Sequence, residues 1–176
     1  MDFSALYQAV FRTQTTAPGY ALLPVDSGVS LSQALEVLWR GMEATHGSPL
    51  KIVHQVEFDQ QVTTRFHRDG GPETSFLFLG YAPTPVESVL AIADHVRAAE
   101  AQGLSPVAFL ETYSPLSADF EEILAPFVTT LTAFDHTVPQ VLMINNSLET
   151  VVLHQATIPS PDLSHSRQIV SWMLTS

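Results

Sequence analysis

Glu111 and Tyr113, in the run LETYSPLS, are the residues of this chain whose types and spacing best suit proton chemistry. A carboxylate at the end of an apolar segment is partly desolvated, which raises its pKa toward general-base work. A phenol two residues away can donate a proton or bind a ligand hydroxyl. Tyr81, Thr84, Ser114, Asn145 and Asn146 join them as candidate ligand-binding residues, for a positional reason given below. The competing reading makes Glu111 simply the first exposed residue of a polar loop.

Other chemistries are harder to assemble. Seven histidines invite a metal, yet Asp94-His95 and Asp135-His136 are adjacent pairs. Neighbouring helical residues point about 100° apart and do not chelate one ion. No His-x3-His or His-Glu-x2-His spacing occurs. His54, on an apolar strand face, reads as a core histidine, and His136 as a charge at a helix end. No metal ligand is assigned and no cofactor is expected, while a metal site assembled only in three dimensions stays open. With no cysteine, disulfides, thiolate nucleophiles, thiolate zinc and cysteine-held clusters are excluded together. There is no G-x-S-x-G elbow, P-loop or G-x-G-x-x-G, and Gly70-Gly71 reads as a turn.

Eighteen acidic residues against seven basic ones give a net charge of −11. Binding nucleic acid or an anionic membrane surface needs the opposite balance, so neither is expected as a partner. Lys51, Arg65 and Arg68 form the one basic patch, with His54 and His67 among them. Glu57, Asp59, Asp69 and Glu73 neutralise it locally. No apolar run approaches the roughly 18–20 residues of a membrane span, and the N-terminus lacks the pattern of a signal peptide. A cytoplasmic location is the expectation. A chain of 176 residues without a linker is read as one domain, 1–176.

The elements that would position these residues follow from periodicity. Helices are expected over 3–13 and 31–45, the second with Ser30 and Gln33 as a capping box and Gly47 as its stop. LKIVHQVEF alternates, with Ile52, His54, Val56 and Phe58 sharing a face. VTTRFHR alternates too, with Phe66 inward and Arg65 and His67 outward. FLFL is apolar on both faces and suits a covered, parallel central strand. Thr84, Pro85 and Glu87 sign a helix reaching Gly103. PVAFLETY reads as strand, 117–134 as a helix broken at Pro126, PQVLMIN and LETVVLHQATI as a hairpin, and the last segment as a helix carrying Ile169, Trp172 and Met173.

Strands near 74, 106 and 140 with helices between them predict an α/β fold. Its mixed sheet has a parallel β-α-β-α-β centre, flanked by an antiparallel meander and a C-terminal hairpin. The rival is an α+β layout with an antiparallel sheet. In the parallel arrangement ligands gather at the carboxyl ends of the strands, which is what groups Tyr81, Thr84, Glu111, Tyr113, Ser114, Asn145 and Asn146.

In element order and acidity the chain resembles the small acidic chaperones of type III secretion, from which an extra strand and helix at 106–134 and a second N-terminal helix depart. That resemblance implies a homodimer acting on partly unfolded proteins. The leading functional expectation is a non-catalytic domain that binds a protein or small molecule, as a homodimer. The alternative is a small hydrolase or lyase using Glu111 as general acid or base.

Overall fold

Ser30 opens the longest helix as predicted. Its hydroxyl accepts the Gln33 N–H at 3.2 Å, the Gln33 side chain accepts the Ser30 N–H at 2.9 Å, and Gly47 ends the helix at φ 78°. The computed structural model describes residues 1–176, apart from the side chain of Ala118. This helix, α2 (Leu31–His46), lies beside α1 (Phe3–Val10), whose N-cap Asp2 accepts the N–H groups of Ser4 and Ala5. No helix among the described residues is long and apolar enough to cross a membrane.

Both helices back a five-stranded sheet built from β1 (Tyr20–Pro24), β2 (Lys51–Asp59), β3 (Phe76–Tyr81), β6 (Gln140–Asn145) and β8 (Gln168–Thr175), in the order β1-β6-β3-β8-β2. A smaller sheet runs β5 (Val128–Thr130), β4 (Val89–Ala93), β7 (Leu153–Thr157). Every paired strand is antiparallel. Residues 63–68 extend the smaller sheet past β7, with Thr64 N–H donating to Ala156 O and His67 and His154 exchanging both backbone bonds. Beyond it pack α3 (His95–Ala101), α4 (Pro106–Thr112) and α5 (Ala118–Leu124).

Alternation along each central strand divides the core. Phe76, Phe78, Val141, Met143, Trp172 and Leu174 face the α1–α2 layer. Leu77, Leu79, Tyr81, Leu142, Ile144, Ile169 and Met173 face the smaller sheet and meet Leu90 and Ile92 there. Between the sheets, this second cluster forms the wall on which the site described below is built.

The parallel α/β unit does not exist. Residues 106–112 form α4, with Ser105 as N-cap, and the helix expected over 84–103 is divided, its first half turning into β4 and only its second half, α3, being helical. The antiparallel rival is the closer of the two layouts. FLFL is apolar on both faces because β3 lies between a helical layer and a second sheet, an environment an antiparallel sandwich supplies as well as a parallel sheet does. Pro126 acts as expected: α5 stops at Leu124, a 3-10 turn carries the proline, and β5 follows. β7 pairs with β4 rather than with β6, so the C-terminal hairpin is absent, and the last segment is β8, not a helix. The resemblance to secretion chaperones loses its final helix with it.

In β2 an irregularity falls between Ile52 and His54, where Val53 has no partner on β8. This bulge reverses the side-chain phase. Ile52 packs on the helix-backed cluster, whereas Phe58 packs between the sheets, so the four residues expected to share one face are divided.

Candidate metal centre

His67 and His154 sit opposite one another where the 63–68 segment meets β7. Opposed residues of an antiparallel pair put their side chains on the same face, and the residue two further along an extended chain returns to it. Asp69 follows His67 by that spacing. Ligand atoms of His67, Asp69 and His154 all lie within 4.8 Å of one another. The two imidazole rings are 4.2 Å apart between centroids, and Nε2 of His67 is 3.5 Å from an Asp69 carboxylate oxygen. Phe66, on the opposite face, is buried among α3–α5. His67 therefore points between the sheets, not outward as the alternation of VTTRFHR predicts.

The surroundings hold His154 and Asp69 in ligand form, while His67 keeps its proton more readily. His67 Nδ1 lies 2.7 Å from Arg65 O and donates its N–H there, which turns Nε2 toward Asp69 as the position where a proton or a metal ion would bind. The hydrogen bond with Asp69 holds the His67 pKa above the usual histidine value, against the opposing effect of burial. Burial pushes the Asp69 carboxyl up, but the His67 hydrogen bond, with the positive groups around it, outweighs this and leaves its pKa lowered. Burial, with His67 nearby, pushes His154 down to about 4, so it is neutral at physiological pH. Its Nδ1 is buried with no hydrogen-bond partner.

The triad faces a cavity of about 70 Å³ between the sheets, walled by Phe58, Leu79, Leu90, Leu142 and Ile169, with Tyr81 and Gln60 among its polar lining. Arg167, only 1% exposed, reaches this end of the molecule. Its guanidinium carbon lies 5.3 Å from the Tyr81 ring centre and its Nη1 donates to Gln60 O at 3.1 Å. Nε and Nη2 of Arg167 have no partner. Burial lowers the Arg167 pKa and raises that of Tyr81 to about 12, leaving the phenol protonated.

The loop carrying Asp69 is tied to the turn after β6. Asn146 Nδ2 donates to Asp69 O at 3.1 Å and to Ser75 Oγ at 2.9 Å, and Arg68 Nε donates to Asn146 O at 2.7 Å.

Of the residues singled out from sequence, Tyr81 lines the triad cavity. Asn146 fastens the metal loop, and Asn145 braces its own turn by accepting the Ser147 N–H and donating to Thr150. Thr84 is buried and donates to Ser166 O, while Ser114 accepts the Leu116 N–H on the surface. Glu111 is exposed on α4, and Tyr113 packs at the end of that helix with its hydroxyl 3.5 Å from Gln102. Neither borders the triad cavity. Sequence reading passed over His67-x-Asp69, whose two residues alternate onto one face of an extended segment; the partner His154 lies far along the chain, and only strand pairing brings it in.

No protein-family description matches the chain, and no curated relative matches it. Among solved structures it is similar to the Kdo hydroxylase KdoO, a non-heme Fe(II) alphaketoglutarate dependent dioxygenase. The complex of that protein with succinate and Fe(III) aligns at TM-score 0.41 and 12% identity, covering 81% of this chain and 59% of that one. Its apo structure aligns at 0.40 and 13%, covering 81% and 60%. The chain thus spans under two thirds of that protein's length. A likeness this distant carries no argument about activity.

Proposed function

We propose that this protein is a non-haem iron(II) oxygenase that takes a 2-oxo dicarboxylate as co-substrate. The observation that carries the reading is the convergence of two histidines and one carboxylate on a cavity between the sheets, with a buried, incompletely paired arginine packed behind its Tyr81 and Gln60 lining. Two imidazoles and a carboxylate are the donor set of iron(II) oxygenases, and they occupy one face of the ion while leaving positions open for other ligands. The group fits these residues: His154 offers a buried nitrogen with no other partner, and His67, anchored through Nδ1 to Arg65 O, turns Nε2 toward Asp69.

When bound, iron supplies the activation of dioxygen. The protein's own residues bind, orient and exclude water. Arg167 keeps two unpaired nitrogens, Nε and Nη2, behind the Tyr81 lining, and a planar carboxylate reaching them would accept from both, the geometry guanidinium matches best. Tyr81 stays protonated and donates beside it. Leu79, Leu90, Leu142 and Ile169 keep water from the cavity, which strengthens both interactions.

Calorimetric titration tests the reading. One equivalent of Fe(II), added anaerobically, is expected to bind, and 2-oxoglutarate to bind only after the metal. His67→Ala and Asp69→Ala should lose the metal and, with it, the co-substrate. Uptake of no metal, or uptake unchanged in both variants, refutes the proposal.

A further inference from the structure

The triad cavity adjoins a second, more open space. A groove of about 300 Å³ runs along the inner face of β2, and Asp69 and Phe58 line both spaces. Val56, Phe58, Leu77 and Met173 make its apolar wall, and His54 and Ser171 add hydrogen-bonding groups. The β2 bulge is what turns His54, Val56 and Phe58 toward it, opposite Met173, Ser171 and Ile169 of β8. Gly71 permits the close fit: a side chain there would collide with the Met173 sulfur, so the metal loop lies directly on this methionine.

We infer that this groove holds the molecule to be oxidised, and that it selects an uncharged, mainly apolar compound or moiety. The inference rests on the oxygenase reading and adds the class of substrate. Asp69 stands on the wall between the two spaces, so a C–H group in the groove lies beside the metal position without displacing a co-substrate anchored toward Arg167. Charge decides the class. Among the described residues lining the groove there is no lysine or arginine, and its single carboxylate is Asp69, which belongs to the metal set. An anion would enter a chain of net charge −11 with no cation to meet it. A cation would find no free carboxylate. A desolvated charge left unpaired in such a groove is costly, whereas an apolar body with one hydroxyl is matched by the aliphatic wall and by His54 or Ser171.

The full chain, loaded with Zn(II) and labelled with ¹³C at methionine methyls, allows a direct test by nuclear magnetic resonance. It is titrated with three probes of one skeleton: 4-methylbenzyl alcohol, 4-methylbenzoate and 4-methylbenzylammonium. The Met173 resonance should move saturably with the alcohol. Met42 and Met143, buried in the helix-backed cluster, should stay in place and report an intact fold. Both charged probes should bind at least tenfold more weakly. Val56→Asp should weaken the alcohol at least tenfold and make the ammonium probe bind more tightly than to wild type, a reversal that loss of packing alone does not produce. Gln55→Asp, on the other face of β2, should change neither. Metal uptake is followed separately by calorimetry. Zn(II) bound with no Met173 response, or with equal response to a charged probe, overturns the groove and leaves the metal reading standing; no metal uptake overturns both.

Discussion

Replacing Arg167 with methionine should make the metal-free protein more stable while disabling it. The folded state keeps the Arg167 charge buried with Nε and Nη2 unpaired. Each buried unsatisfied group costs about 1–3 kcal/mol. Against this stand the Nη1 bond to Gln60 O and the guanidinium above Tyr81, worth about 1.5–3 and about 0.5–2 kcal/mol. Methionine fills similar volume and removes the uncompensated charge, so a net gain of about 1 kcal/mol is expected. For a chain of this size that is about 2–4 °C in Tm, read by differential scanning calorimetry on metal-free protein. The same change removes the carboxylate's partner. Truncating one side of a buried charged pair costs about 2–5 kcal/mol, so 2-oxoglutarate should bind the metal-loaded variant at least about 30-fold more weakly. Metal affinity itself should be unchanged. A variant that melts several degrees lower and still binds 2-oxoglutarate normally would show Arg167 to be a structural residue, and would refute the co-substrate assignment.

Further outcomes can be checked alongside. The His67 pKa is raised by Asp69, so protons compete with the metal from above pH 6.5 downward; affinity for Co(II) should fall by about tenfold per pH unit below that value, and a flat calorimetric profile between pH 8 and 5.5 would contradict it. Asn146→Ala frees the Asp69 backbone and should weaken metal binding about 10- to 100-fold with the circular dichroism spectrum unchanged. His95 is fully buried, and burial lowers its pKa below the unfolded value. Its contribution to stability is present above about pH 6.5 and is lost as the pH falls toward the folded pKa, so urea midpoints should decline over that interval, and less steeply in His95→Gln.

What could be read from the sequence was local. The capping box at Ser30, the stop at Gly47 and the break at Pro126 depend on residues a few positions apart, and the structure has all three. FLFL announced burial on both faces but not what covers it, since helices and a second sheet are equally apolar neighbours. Thr84-Pro85-Glu87 imitates a helix start, yet the Thr84 hydroxyl bonds Ser166 O and Val86 N–H as the chain turns into β4. Tertiary pairing overrode the local signal there. The candidate site was hidden for the same reason: His67 and Asp69 stood in view within a basic run, but their meaning came from His154, which only the pairing of 63–68 with β7 supplies. A protein that takes up no metal would return attention to the non-catalytic binding reading, for which the absence of sequence motifs was the motive.

The bulge at Val53 has a consequence for how this strand tolerates change. Ile52, His54, Val56 and Phe58 share one parity, and an uninterrupted ladder would commit all four to the same side of the sheet. One supernumerary residue lets the first serve as foundation and the other three as cleft, so each half can accept substitutions without regard to the other. Loss of that residue would be absorbed. Without Val53, Ile52 and His54 become consecutive and stay opposite Leu174 and Met173, so ordinary alternation keeps Ile52 on the helical layer and His54, Val56 and Phe58 on the cleft. The heavier lesion is a deletion within 54–58, which would turn the residues on one side of the gap to the opposite face.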